Sequence, residues 1–318
     1  MLRVVYMGTP DFAVPALEAM AGGGCRVLAC VTKPDAPRDR GKKLQSCPVK
    51  LKAEELGIPV LTPEKIKNNR NFIEGLKALD PDLIIVAAYG KLLPKEVLEI
   101  PRLGCVNIHA SLLPKYRGAA PIHRAVINGD EITGVSLMYM AEALDSGDII
   151  ATAETPVGEK TTGMLFDELA KLGAELLMKT LPALEEGKAE RTPQDESLAT
   201  YAPMVFKEEG VVDFKKSAKE ICCLIRGFSP QPTASTLYNG QVMKLHMARE
   251  AGRAPDHWAK DGIPAPGTVL KADKSGIYVA CGSGEALALT NIQMPGKKAM
   301  DVSAWLLGNR IEIGTILG

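Results

Sequence analysis

Aromatic side chains are scarce in this chain, 5% of 318 residues, although apolar residues reach 46%. Core material is therefore plentiful but aliphatic, which favours an α/β protein of two ordinary domains. An excess of one charge is also missing. The formal net charge is zero, so the total points to no polyanionic partner. Histidine is down to four residues, and none of the seven cysteines forms a C-x-x-C pair. Cys222 and Cys223 are merely adjacent, so no zinc spacing is present and no metal is expected. Core thiols in a reducing, cytoplasmic protein are the expectation. Apolar runs are short, residues 83–88 being among the longest, against the roughly 20 residues that span a bilayer. No stretch reads as a signal peptide, since residues 2–7 read as a first strand. Internal repeats and low-complexity tracts are absent.

What is present is an alternation of elements. After the first strand, Gly8-Thr9-Pro10-Asp11 turns into a helix ending near Gly22, and residues 26–31 form a second strand. Pro48 opens another helix that stops at Gly57. Residues 83–88 and 105–109 are further strands, with helical patterns over 94–100 and 120–128. Such alternation implies a mostly parallel, Rossmann-like sheet covered on both faces. Residues 133–140 and 148–153 read as strands toward its far edge, and 164–185 as a long closing helix. Residues 187–203 are polar and contain proline, as a linker does. Beyond them lie one short helix at 217–227 and strand signals at 235–238, 242–247, 267–271, 276–280 and 286–292. Asn239-Gly240 between two of these strands marks a hairpin. A small barrel of about five strands follows, of the OB type that commonly binds nucleic acid.

Charge is uneven locally. Residues 33–52 hold seven basic and two acidic side chains, and residues 201–318 hold 14 against 11. A run of this kind is either solvated surface or a nucleic-acid contact. Gly8-Thr9-Pro10-Asp11-Phe12 occupies the place of a phosphate loop but is not G-x-G-x-x-G. With no acidic residue closing the second strand, it reads as a tight turn and not as a dinucleotide site.

Asn107 and His109 are two residues apart in a strand and so share a face, with Val106 and Ile108 turned to the packed layer. Asp145 follows downstream. An amide, an imidazole and a carboxylate can steady an oxyanion while protons move. Polar groups satisfied at a strand's rim would look the same. The strand runs out into Ser111-Leu112-Leu113-Pro114-Lys115-Tyr116-Arg117-Gly118, the usual place for a ligand in an open α/β sheet. Arg117 reads as a loop-ordering residue. His123, His246 and His257 lack convergent partners and read as structural.

The stretch 107–121, continued by Gly134-Val135-Ser136-Leu137-Met138 and Leu144-Asp145-Ser146-Gly147-Asp148, resembles folate-dependent formyltransferases. Gly8–Phe12, Arg40-Gly41-Lys42-Lys43 and Pro295-Gly296-Lys297-Lys298 narrow the likeness to members that act on methionyl-tRNA. It covers essentially the whole chain. One departure, Ser146 where relatives often carry Thr, keeps the hydroxyl. The resemblance implies formyl transfer from 10-formyltetrahydrofolate to the α-amino group of initiator methionyl-tRNA, without metal. It implies Asn107, His109 and Asp145 as the catalytic trio. Ser111, Leu112, Leu113 and Pro114, with the strip Gly90, Lys91 and Leu92, would contact the folate. Arg40, Lys42, Lys43, Lys297 and Lys298 would meet the tRNA. The domains expected are a folate-binding catalytic domain (1–189), a linker (190–206) and a tRNA-binding barrel (207–318), in a cytoplasmic monomer. The basic loop at 33–46 is expected to be mobile. The rival enzyme is a sugar-nucleotide formyltransferase acting on an amino sugar. A hydrolase releasing formyl from folate and a binding protein without turnover are further alternatives.

Overall fold

The computed structural model describes residues 1–38, 43–253 and 264–318. The chain divides into two compact units. The first comprises Met1–Pro121, Ile132–Pro156 and Phe166–Pro203; the second comprises Ile122–Glu131, Val157–Leu165 and Met204–Gly318.

The elements run β1 (Leu2–Gly8), α1 (Val14–Ala21), β2 (Cys25–Val31), β3 (Ala36–Arg38), β4 (Lys43–Gln45), α2 (Pro48–Glu55) and β5 (Val60–Leu61). There follow α3 (Arg70–Ala78), β6 (Leu83–Ala87), α4 (Lys95–Leu98), β7 (Cys105–His109), α5 (Pro121–Ile127), β8 (Ile132–Tyr139), β9 (Ile149–Pro156) and α6 (Thr162–Glu185). Seven strands form one sheet in the order β5-β2-β1-β6-β7-β8-β9. The first five are parallel, and β8 and β9 are antiparallel at the far edge, as their sequence suggested. The chain leaves β1 toward β2 and β5, then returns to β6 on the other side. That reversal opens a crevice at the carboxyl ends of β1 and β6, and β7 ends beside it.

Register fixes the faces of β7. Val86 pairs with Asn107, and Met7 with Val86, so Asn107 shares its face with the cluster of Val5, Met7, Ile84, Val86 and Cys105. Val106 and Ile108 turn the other way. There Gly173 of α6 comes so close that an added Cβ would lie 2.7 Å from Ile108 and 3.4 Å from Val135. Gly8 is under similar constraint, with the Ala13 Cβ 2.7 Å from where its own would stand. The turn after β1 is thus tight for packing reasons.

Part of the basic segment expected as a mobile loop is paired. Ala36 faces Gln45 and Pro37 faces Leu44 in the two-stranded ribbon of β3 and β4. Strands of three residues are too short to carry an alternation signal, so sequence periodicity missed them. Arg40 and Lys42 lie outside the described residues; Lys43 opens β4.

In the second unit, α7 (Ala218–Gly227) starts with a reciprocal cap between Ser217 and Glu220. Then come β10 (Ala234–Tyr238), β11 (Gln241–Arg253), β12 (Val269–Asp273), β13 (Gly276–Ala280), β14 (Glu285–Gln293), β15 (Met300–Asp301) and α8 (Val302–Trp305). Asn239 and Gly240 both take positive φ, +50° and +71°, the requirement of a two-residue hairpin turn. The antiparallel order is β10-β11-β14-β13-β12, with β15 added to β14. Residues 314–318 bridge the free edges. The Leu317 N–H donates to the Gly267 carbonyl beside β12, and the Gly318 N–H donates to the Leu237 carbonyl of β10. This joins the sheet around a core that includes Ile225, Leu245, Val279 and Leu287. No described helix is long and apolar enough to cross a membrane.

Gly173→Ala tests the closeness of α6 to β7. In an ordinary helix interior this change stabilises by up to ~1 kcal/mol. Here the clash with Ile108 should reverse the sign and cost roughly 1–3 kcal/mol. Chemical denaturation reads the difference, and a stabilised variant would show that the contact is slack.

Candidate active site

Asn107 and His109 lie side by side on β7 with 9% and 6% of their surface exposed. The Asn107 side chain makes no hydrogen bond to another described residue. A buried amide without a partner costs free energy unless a ligand or water completes it. Its amide is thus left open to a water or a ligand.

His109 is fixed from one side. Its Nε2 lies 2.9 Å from the Tyr116 carbonyl oxygen. A carbonyl only accepts, so Nε2 carries the proton and donates. The opposite ring nitrogen, Nδ1, faces Asp145 Oδ2 at 3.8 Å. That separation is too long for a hydrogen bond, and the two groups attract as ions only when the ring carries both protons. Asp145 Oδ2 also accepts the Gly118 N–H at 2.8 Å. The trio read from the sequence is thus assembled, with the loop after β7 supplying a main-chain partner to both His109 and Asp145.

The same loop is strained and braced. Tyr116 and Asp145 take φ of +63° and +47°, a left-handed conformation that costs a non-glycine residue about 1–2 kcal/mol. Bracing comes from a segment that sequence reasoning treated as linker. The Arg117 N–H donates to the Thr200 carbonyl, the Ala202 N–H to the Arg117 carbonyl, and the Tyr116 N–H to Thr200 Oγ1. The buried Arg117 guanidinium forks onto Glu196 at 2.8 and 2.9 Å and donates to Gln194 Oε1. This partner holds the Glu196 carboxyl below its ordinary range. Arg117 is a loop-ordering residue, as expected. Gln194, Glu196 and Thr200 were not foreseen, because a polar run with proline looks the same whether or not it docks.

The segment Ser111, Leu112, Leu113 and Pro114 is pinned by Ser136 of β8. The Ser136 hydroxyl donates to the Ser111 carbonyl at 2.7 Å and accepts the Leu113 N–H at 3.0 Å. Gly134 makes room for Leu112, whose side chain lies 2.6 Å from where a Cβ would be. At the end of β6, Gly90 takes φ of +72°, and the Lys33 side chain occupies the space a Cβ would need. The Gly90 and Leu92 N–H groups meet no partner among the described residues. Lys91 bonds through Nζ to the Pro63 and Glu64 carbonyls at 2.9 and 2.7 Å. Burial and the charge of Lys33 lower its pKa. Leu92 is 71% exposed.

The remaining candidates stand apart in the sequence. Lys297 and Lys298 are exposed in the turn between β14 and β15, where Gly296 has φ of +71°. His123 meets the Gln231 carbonyl at 3.3 Å and His246 meets Gln293 Oε1 at 3.2 Å, both structural contacts. His257 lies outside the described residues.

Residues 2–181 match the family described as Formyl transferase, and residues 204–310 match Formyl transferase, C-terminal domain. The chain belongs to the formyltransferase family. It is 47% identical over 318 residues to the methionyl-tRNA formyltransferase of Moorella thermoacetica, spanning 100% of this chain and 99% of that one. The methionyl-tRNA formyltransferase of Clostridioides difficile is 46% identical over 318 residues, with 100% of both chains covered. Among solved structures, the N-formyltransferase from Helicobacter canadensis in complex with folinic acid and dTDP-3-aminofucose is similar at a TM-score of 0.66. It shares 18% identity over 92% of this chain and 100% of that one, a likeness of fold alone.

All seven cysteines are free and buried. Burial pushes the Cys25 thiol up to about 11 and those of Cys30, Cys105, Cys222 and Cys281 up to about 12. A thiol in this state is a poor nucleophile. At pH 8 the folded chain should react with dithionitrobenzoate far more slowly than the unfolded chain, which should titrate seven thiols. A fast-reacting thiol in the native state would show that one of these thiols is not held buried.

Proposed function

We propose that this chain transfers the formyl group of 10-formyltetrahydrofolate to the α-amino group of initiator methionyl-tRNA. The observation that carries this is the unpartnered Asn107 amide beside the His109–Asp145 pair, in a chain 47% identical over its full length to a methionyl-tRNA formyltransferase. An amino-sugar acceptor has weaker support, since the sugar-type neighbour shares only 18% identity.

The folate supplies an activated formyl carbon. Its pterin edge, a row of donors and acceptors, suits the free N–H groups of Gly90 and Leu92 and the pinned backbone of Ser111–Pro114. Asn107 donates to the formyl oxygen as attack by the neutral amine makes it an oxyanion. His109, held through Nε2, presents its Nδ1 edge to the same centre and to Asp145. A positive ring is balanced there by the carboxylate. Asp145 accepts the proton that leaves the attacking nitrogen, directly or through water. The new C–N bond is complete when the bond to folate N10 breaks and that nitrogen regains a proton.

The division of labour proposed is catalysis by residues 1–189, a linking segment at 190–206 and tRNA binding by 207–318. Arg40, Lys42, Lys43, Lys297 and Lys298 neutralise tRNA phosphates. The chain works as a cytoplasmic monomer.

Purified chain mixed with 10-formyltetrahydrofolate and methionyl-tRNA should yield formylmethionyl-tRNA. Formate release alone, or formylation of an amino-sugar nucleotide only, would redirect the assignment. Asn107→Ala should keep its fold and lose about 10²–10³ in turnover, the typical cost of one oxyanion donor. Near-normal turnover in that variant would refute its role. Arg40→Ala should weaken tRNA use while sparing folate binding, and the tRNA affinity of the parent should fall as salt rises. A folate defect in Arg40→Ala would undo the division proposed.

A further inference from the structure

We infer that Gln194 is the positioning residue that sets Asp145 against His109, an inference that rests on the function proposed above. Its side chain has two donor hydrogens and two acceptor lone pairs, and all four are used. Nε2 donates to the Asp145 carbonyl at 2.9 Å and to the Gly147 carbonyl at 2.7 Å. Oε1 accepts from Arg117 Nε at 3.0 Å and from Arg117 Nη2 at 2.8 Å.

Those contacts add a second brace between two turns that the Gly118 N–H to Asp145 Oδ2 bond already joins. One is the 145–147 turn, which carries the carboxylate on a residue at φ of +47°. It has no slack, because a Cβ on Gly147 would stand 1.8 Å from the Tyr139 carbonyl oxygen. The other is the 116–118 corner, whose Tyr116 carbonyl orients His109 and whose Gly118 N–H holds Asp145 Oδ2. Arg117, between them, is the residue that Gln194 grips. A single amide therefore spans the two elements whose separation fixes the 3.8 Å distance between Nδ1 and Oδ2. No hydrogen bond joins His109 to Asp145, so the distance is only as well defined as the turns that carry the two side chains. None of the Gln194 hydrogen bonds reaches Ser111–Pro114 or the strip at 90–92, so its effect should fall on the chemical step and not on folate binding.

Gln194→Glu separates the two halves of this role. A carboxylate still accepts from Arg117 but cannot donate to the two carbonyls. Misplacement of a reacting group by about 1 Å can cost on the order of 10²-fold. Gln194→Ala and Gln194→Glu should each lose about tenfold to a hundredfold in kcat. Both KM values should stay within about twofold, since binding contacts are untouched. A purely structural role through Arg117 would instead spare Gln194→Glu. If Gln194 acts through Asp145, the losses should not add. In an Asp145→Asn background, Gln194→Ala should cost little more. Additive losses, or an unchanged kcat in Gln194→Ala, would overturn the inference.

Wild-type turnover on methionyl-tRNA is measured alongside. Its absence would count against the proposed function, whereas an active wild type with unaffected Gln194 variants counts against this inference alone. A crystal structure of Gln194→Ala reads the geometry directly. Retention of the 3.8 Å separation there would overturn the inference whether or not the function holds.

Discussion

Period-two alternation in β7 is the constraint on which the rest of this site depends. Five residues must seat Val106 and Ile108 against α6 and still offer Asn107 and His109 to the opposite side. A slip of one residue would turn the amide and imidazole toward α6 and set Ile108 on the face they now occupy. Pairing on both sides removes that freedom, with β6 parallel and β8 antiparallel to it. The reversal of strand order next to β1 then supplies the crevice, and Gly8 and Gly173 let neighbouring elements pack close to the sheet.

Side-chain chemistry at the site is thus sparse, and most of its order comes from main chain. Tyr116 and Gly118 provide a carbonyl and an N–H, Ser136 fastens the turn that follows β7, and the 194–202 segment binds the loop from outside. The left-handed conformations of Tyr116 and Asp145 are tolerated because several hydrogen bonds over-determine them. The strain sits beside the groups that would touch a reacting centre, where a fixed position is worth more than relaxed backbone.

Much of this was legible in the sequence. Alternation gave the parallel strands, Asn239-Gly240 gave the hairpin, and Asn107, His109 and Asp145 stood out by residue type and spacing. Three features were hidden for physical reasons. The ribbon of β3 and β4, three residues a strand, is too short to show a period. The strap at 194–202 binds through backbone groups, the Gln194 amide, the Glu196 carboxylate and the Thr200 hydroxyl, which no composition rule separates from a solvated linker. The interleaving of Ile122–Glu131 and Val157–Leu165 with the second unit is a matter of tertiary contact, which local pattern does not encode. The position of the trio was readable; the apparatus that holds it was not.

The acceptor for His109 Nε2 is a peptide carbonyl, and that has a consequence for how the site tolerates change. A side-chain acceptor can be deleted by one codon, whereas exchanging residue 116 leaves its carbonyl in the chain. The choice of which imidazole nitrogen carries the proton is therefore insulated from most mutations at its own contact. It becomes vulnerable only where the backbone path itself is altered, at the residues that let the loop turn. Drift in residue 116 can alter what the loop shows to solvent while the tautomer beneath it stays the same.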